Sequence, residues 1–383
     1  MAGIRSRGAK VTAGDEPTAL YERQFARART KISPYAFAYC NGAAGDERAA
    51  DDNVRALDEV RLIPRVLRGA TAPDTSTALL GHTLAVPVLV APMGLQRLLH
   101  PGGEAVTAAG ARSADAGFCL SMFSSVSAAE VAEAAPELRL QQIYLTRDAQ
   151  ITDAVVAAAV AHGLAGLVVT VDVPAVASRS YDAGHTQNRF DEVSPAMLEL
   201  PGVRDRLAAC APVGAGSGQL LSSVFPAPEN NWETLREFVA RSPLPVLVKG
   251  VLHPEDAATA VAVGAAGVVV SNHGGRQLDR VVPAIGRLGP VVEAVGGSVP
   301  VLFDSGVRRG SHVVAALALG ATAVLLGRPV LWGLASGGED GVRDTLRQVV
   351  GEVRETMTMI GSKDIADLRG RALMLSADGE PSS

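Results

Sequence analysis

Eight short apolar runs, spread over residues 86–326 and each closed by a polar or glycine-rich turn, constrain this chain more than any other feature. They are Val86–Ala91, Gly117–Ser121, Leu140–Ile143, Gly166–Val171, Pro245–Val248, Gly267–Val270, Pro300–Phe303 and Ala323–Leu326. Uninterrupted Val/Leu stretches of this length suit strands buried on both faces, as in a parallel sheet. Between most of them lie Ala-rich stretches with helical spacing, such as Asp148–Ala161, Glu255–Val263 and Ser311–Leu319. Gly163, Gly264 and Gly320 stand where those helices should stop. Eight strands alternating with helices predict a closed (β/α)8 TIM barrel, an α/β fold; the competing doubly wound sheet usually has fewer strands.

The barrel is placed at residues 86–370. Residues 1–85 are expected to form an N-terminal helical segment packed on it, with helices at Thr18–Lys31 and Asp46–Leu57, and 371–383 a C-terminal tail. One connection breaks the rhythm: residues 174–244 show little periodicity before Trp232–Val239. Residues 174–231 are therefore expected to form a long loop after strand 4, acting as a lid over the active-site mouth.

Charge and cysteines narrow the partners. A formal net charge of −5 with no lysine-rich block argues against nucleic acid. Cys40, Cys119 and Cys210 have no metal-ligand spacing and cannot form an even set of disulfides, so they are expected to be reduced thiols, one of them near a functional surface. The N-terminus lacks the apolar core of a secretory signal, and the apolar runs are too short to span a bilayer. A cytoplasmic protein without a membrane partner or metal is expected.

In such barrels the chemistry sits at the C-terminal ends of the strands. The runs here lead into Pro92-Met93-Gly94, Ser121, Gln142 and Tyr144, Thr170 and Asp172, Lys249, Ser271 to Arg276, Asp304 to Gly310, and Gly327-Arg328. The last two turns are Gly-rich, cationic and lead into helices, which suits a phosphate cradle. His273 is a candidate base three residues before Arg276, whose guanidinium could hold a carboxylate by paired hydrogen bonds. Asp172 could orient the imidazole. Lys249, expensive to bury alone, calls for an anionic partner.

With these residues the chain resembles the FMN-dependent 2-hydroxy-acid oxidase and dehydrogenase family, over roughly residues 18–370. The resemblance rests on Ser271–Asp279 (S-N-H-G-G-R-Q-L-D), the L-V-K-G-V segment at Lys249, Thr170–Pro174, Gln142–Tyr144 and Asp304–Gly310. It implies FMN as cofactor, a small 2-hydroxy acid as substrate, oxygen as the expected acceptor and a homotetramer. The flavin ring would meet Pro92, Met93, Gly94, Ser121, Gln142, Thr170 and Ser271. Lys249 would stand beside flavin N1. The phosphate would lie on Gly306, Arg308, Arg309, Gly327 and Arg328, with Asp304 on the ribityl chain. His273 would be the base, supported by Asp172, and Tyr144 would contact the reacting oxygen. Tyr39, Arg179, Arg276 and Phe123 would bind the substrate.

The chain also departs from the family pattern. The stretch before the lid reads Ala177 to Tyr181 and runs on to Asn188-Arg189-Phe190, which bears on the alignment of Arg179. Phe123 replaces a Trp of glycolate oxidase. Gly94 replaces a common Ala, which points to a roomier pocket for lactate- to mandelate-sized acids and to slow reaction with oxygen. The histidines other than His273 are assigned structural roles, with His185 in the lid the one to watch. Two rivals stand beside this reading: an FMN isomerase acting on a diphosphate, and a flavin-binding protein without turnover.

Overall fold

The computed structural model describes residues 20–179 and 192–373. All eight apolar runs are strands: β1 (Val88–Val90), β2 (Gly117–Leu120), β3 (Arg139–Ile143), β4 (Gly166–Thr170), β5 (Val246–Val251), β6 (Gly267–Val270), β7 (Val301–Phe303) and β8 (Ala323–Leu326). Each pairs in parallel with the next along the chain, and β8 returns to β1, closing the barrel as predicted.

Period-two alternation divides the strand residues between two environments. Leu89, Cys119, Leu140, Val168, Leu247, Val269, Leu302 and Leu325 form one buried cluster inside the barrel. Their neighbours Val88, Val90, Phe118, Leu120, Leu167, Val169, Val268 and Val270 face outward, in a second cluster under the helices. Both faces are apolar, so the sequence shows runs instead of alternation.

Among the described residues three helices lie N-terminal to the barrel: α1 (Leu20–Lys31), α2 (Pro34–Asn41) and α3 (Arg48–Glu59). The second was not expected. Ser33 accepts a hydrogen bond from the Ala36 N–H and Pro34 opens the first turn, a good helix start that a short run rich in Ala, Tyr and Phe disguises. The N-terminal segment is also more than helical. A hairpin, Thr77–Leu79 with His82–Leu84, adds Leu79 and Leu84 to the inner cluster and stoppers the barrel at the strands' N-terminal ends. A Cβ on Gly166, the first residue of β4, would come within 2.8 Å of Leu80 Cδ1.

The barrel helices are α4 (Gly103–Arg112), α5 (Ala128–Ala134) and α6 (Ala149–Ala161), followed after β4 by α7 (Val203–Cys210), α8 (Ser217–Ser222) and α9 (Trp232–Arg241). Then come α10 (Pro254–Ala262), α11 (Ile285–Val295), α12 (Gly310–Ala318) and α13 (Arg328–Met359). Gly163, Gly264 and Gly320 all have positive φ just past helix ends, as expected. The excursion after β4 is not a bare loop: α7 and α8 bury Val203, Leu207, Leu220 and Leu221, and Arg206 holds Asp148 at 2.7 Å. Ser180, Tyr181, His185 and Asn188 to Phe190 lie outside the described residues. The tail expected from residue 371 begins as structure, because Ala372–Leu373 pairs antiparallel with Arg61–Leu62. Among the described residues no helix is long and apolar enough to cross a membrane.

Candidate active site

The alternation that fills the barrel also equips its mouth. Two residues beyond each inward plug the chain again points inward, but now past the core layer. Leu140 is followed by Gln142, Val168 by Thr170, Leu247 by Lys249 and Leu302 by Asp304, all of which line one cleft. Ser121, Met93 and Gly327 join them, with Pro92, Gly94, Phe123, Tyr144, His273, Arg276, Gly306, Arg308 and Arg328 from the following turns. Tyr39 and Cys40 reach the cleft from α2. The cleft, with the open solvent at its mouth, spans about 1070 Å³.

At the floor, Lys249 Nζ donates to Ser271 Oγ at 2.8 Å and pairs with Asp304 Oδ2 at 2.9 Å. Burial pulls the ammonium pKa down, but the Asp304 and Asp172 carboxylates outweigh it and hold Lys249 above its ordinary value, so it stays charged. Asp304, expected on a ribityl chain, thus has a first partner in Lys249. Ser271 is fully buried behind this pair and does not itself line the cleft.

The candidate base and its expected support are in contact: His273 Nδ1 lies 2.8 Å from Asp172 Oδ1. With a carboxylate on Nδ1 the proton sits there, which leaves Nε2 as the basic nitrogen. Burial alone would raise the Asp172 pKa, but the His273 ring beside it holds the carboxyl below its usual range. The room for Asp172 comes from the neighbouring strand. β5 bulges between Lys249 and Val251, and Gly250 takes φ +108 there. A Cβ on Gly250 would approach Asp172 Cβ and Cγ to 2.6 Å. The K-G pair therefore does two jobs, turning Lys249 inward and clearing space for Asp172.

Arg276 Nη1 donates to the Gly42 carbonyl at 2.5 Å, and its guanidinium lies 5.3 Å from the centre of the Tyr39 ring. Arg179 does not line the cleft. It donates from Nε to the Arg276 carbonyl at 3.3 Å and bridges the backbone at Ala44 and Gly45, supporting Arg276 from the rim. Opposite stands a wall of three rings. Tyr144 lies 5.3 Å from Phe123 and 4.3 Å from Phe225, centre to centre. Burial and the nearby Asp172 carboxylate push the Tyr144 phenol above its ordinary range, keeping its O–H as a donor.

Three guanidiniums, those of Arg276, Arg308 and Arg328, lie near one another in the cleft lining. Arg328 is held by the carbonyls of Cys40, Gly274 and Gly42 at 3.1–3.2 Å, and Arg308 donates to the Val307 carbonyl. Burial, with Arg308 and Arg276 nearby, pulls Arg328 down to about 9, the mark of crowded positive charge that an anion would relieve. Arg309 does not line the cleft. The chain has left the strand by this point, so the second of two consecutive arginines turns away and precedes α12 as its N-cap residue, outside the cleft lining.

Sequence reasoning missed several contributors. Ser305 Oγ accepts from the Asn272 and Gly274 N–H groups and donates to Asp304, lacing the β6 and β7 turns together. Asn53 of α3 exchanges two 2.8 Å hydrogen bonds with Asn272, and only tertiary structure brings the two together. Cys40, the thiol near the site, is buried and pushed up to about 12. His312 has the structural role expected, 2.9 Å from Asp58.

The family described as FMN-dependent dehydrogenase matches residues 28–375. An L-lactate oxidase of Nostoc sp. is 39% identical over 364 residues, 94% of this chain and 98% of its own length. 2-Hydroxyacid oxidase 1 of Homo sapiens is 38% identical, covering 88% and 91%. The crystal structure of mandelate oxidase with (S)-4-hydroxymandelic acid superposes with a TM-score of 0.82 at 38% identity, covering 92% of this chain and 97% of that one. With the match running through the barrel and every turn of the cleft, this chain belongs to the FMN-dependent 2-hydroxy-acid dehydrogenase and oxidase family.

Proposed function

We propose that the chain oxidises (S)-2-hydroxy acids of lactate to mandelate size to 2-oxo acids, passing the electrons to oxygen with release of hydrogen peroxide. The observation that carries this reading is the His273 imidazole, held by Asp172 from behind, lining one cleft with Arg276 and Tyr39. The relatives' names as oxidases support oxygen as acceptor.

The cleft fits FMN on its own evidence. Gln142 Nε2 is buried and lacks a hydrogen-bond partner, as expected of a group waiting for a ring carbonyl or nitrogen. The arginine cluster suits a terminal phosphate. Gln142, Thr170, Ser121, Lys249 and the backbone at Met93 would hold the ring, with Gly306, Arg308, Gly327 and Arg328 at the phosphate. FMN, when bound, supplies the two-electron acceptor. The chain's own residues do the rest. Arg276 and Tyr39 fix the substrate carboxylate, Tyr144 donates to the 2-oxygen, His273 Nε2 takes a proton, and Asp172 steadies the ring as it becomes charged. Lys249 supplies fixed positive charge where negative charge accumulates.

Anaerobic bleaching of the flavin by a panel of 2-hydroxy acids tests this reading, followed by reoxidation with oxygen or with a quinone. A protein that no such acid bleaches is not this enzyme, and one that ignores oxygen but reacts quickly with quinone is a dehydrogenase. Arg276→Lys is expected to lower kcat/KM by about 10- to 100-fold, because an ammonium lacks the planar two-point grip. Steady-state kinetics on lactate and mandelate would check it, and an unchanged kcat/KM would free Arg276 of that role.

Gly94 gives a sharper expectation than the sequence allowed. A methyl there does not enter free space but meets the Phe123 carbonyl oxygen at 2.6 Å and the Phe123 Cβ at 3.1 Å. Gly94→Ala must therefore shift the aromatic wall. A cost of about 1–3 kcal/mol, felt more by the bulkier acid, corresponds to roughly 5- to 150-fold against mandelate relative to lactate. Stopped-flow reoxidation of both proteins shows whether oxygen reacts faster in the variant, as the family pattern suggests. An unaltered mandelate-to-lactate ratio would mean the Phe123 segment yields freely.

A further inference from the structure

One carboxylate with no place in the proposed chemistry lies behind the cleft. Glu104, in the first turn of α4, is completely buried and does not line the cleft. Its donors come from two different barrel turns. Oε1 accepts the Gln96 N–H at 3.0 Å and the Ser125 N–H at 3.1 Å, and Oε2 accepts the Ser125 hydroxyl at 2.5 Å. Ser125 Oγ in turn accepts the Arg97 N–H at 3.0 Å. Gln96 carries the linkage inward, its Nε2 donating to the Met93 carbonyl at 2.9 Å while Thr107 donates to its Oε1 at 2.5 Å. Leu95, with φ +60, donates to the Phe123 carbonyl at 3.1 Å. Gly103 makes the approach possible, since a Cβ there would come within 2.9 Å of Ser125 Oγ.

These bonds join the turn after β1 to the turn after β2. Met93 and Gly94 on the first, and Ser121 and Phe123 on the second, are cleft-lining residues. Burying an acid is unfavourable, and burial raises the Glu104 pKa despite its three donors. Stability alone would be served as well by an apolar filler, so the network's specific value is that it gives two irregular turns one geometry.

We infer that Glu104 is a positioning residue for the cofactor, locking the Met93–Gly94 turn to the Ser121–Phe123 turn and so fixing the wall against which the flavin ring lies. The inference rests on the FMN reading above. It acts through the residues assigned to the ring and not through Arg308 or Arg328, and this makes it separable from phosphate binding.

The test is titration of the apoprotein with FMN and with riboflavin, which has the ring but no phosphate, followed by flavin fluorescence. Glu104→Ala is expected to weaken both ligands by the same factor, roughly tenfold or more, since it removes three hydrogen bonds to a charged group. Glu104→Gln should stay within about threefold of wild type, because its amide oxygen can keep both N–H donors that now share Oε1. Arg308→Ala should weaken FMN and leave riboflavin unchanged. A residue that only stabilises the fold would lower the melting temperature without moving either dissociation constant at 25 °C. If Glu104→Ala does not fold, Ser125→Ala removes the hydroxyl's two bonds, to Glu104 and from the Arg97 N–H, keeps the Ser125 N–H bond to Glu104, and should show the same pattern at about threefold or more. Unchanged binding of both flavins in Glu104→Ala, or in Ser125→Ala in its place, overturns the inference, as does loss confined to FMN. A wild-type apoprotein that binds neither flavin overturns the cofactor reading and this inference with it.

Discussion

Alanine at His273 is expected to leave FMN bound and to slow flavin reduction by 2-hydroxy acids by ~10²–10⁴, the usual contribution of a general base. The Nδ1 side of the ring is occupied by Asp172 at 2.8 Å, so the nitrogen left to face the cleft is Nε2. Asp172 Oδ2 already has no hydrogen-bond partner, so removing the ring leaves the buried carboxylate with neither oxygen served from that side. Asp172→Asn is the companion variant. It keeps the shape but can present its amide N–H to Nδ1, forcing the proton to Nε2 and blocking the base in place. Both variants should therefore lose flavin reduction while their visible flavin spectrum stays close to wild type; thermal melting should fall in His273→Ala, which strands the buried carboxylate, and stay close to wild type in Asp172→Asn. Single-turnover bleaching under anaerobic conditions reads the chemical step directly, and near-normal bleaching in His273→Ala would remove the histidine from the mechanism.

What the sequence disclosed about this site follows from where periodicity holds. Inside a strand the two-residue repeat is strict, so Thr170 and Lys249 could be placed on one mouth with Gln142 before any coordinates. Once the chain leaves a strand the repeat stops, and adjacent side chains can point anywhere. Arg308 and Arg309 illustrate this: nothing in R-R-G says that the first faces the cleft and the second precedes α12. Contacts between distant segments were less legible still. Glu104 looks like an ordinary acid in a helix's first turn, where it would suit the helix dipole, and only the Gly103 close approach reveals its three donors. Asn53 lies mid-helix on α3, yet Gly306 must lack a Cβ because one would come within 2.7 Å of the Asn53 backbone. The helices in the insertion after β4 were missed because α7 and α8 are eight and six residues long. That is too short for a 3.6-residue period to repeat convincingly. The hairpin that stoppers the barrel was hidden for the same reason, its strands being three residues each.

Lys249→Met is expected to cost the enzyme twice, and the two losses can be measured apart. The first is in the fold. Asp304 is 7% exposed and its Oδ2 relies on Lys249 at 2.9 Å, so removing the cation strands a buried carboxylate. Breaking a buried pair from one side typically destabilises by about 3–5 kcal/mol. The second is in the chemistry, where a preorganised charge at the cleft floor is worth roughly 10²–10³ in rate when negative charge builds up beside it. A single variant confounds these, since an unstable protein is also a slow one. The double variant Lys249→Met with Asp304→Asn removes both charges and nearly conserves volume, so most of the lost stability should return. The lost rate should not return. Urea unfolding of wild type, single and double variants reads the first quantity, and anaerobic flavin reduction by lactate reads the second. If the double variant regains rate together with stability, then Lys249 serves only to hold Asp304, and the positive charge at the floor takes no part in oxidation.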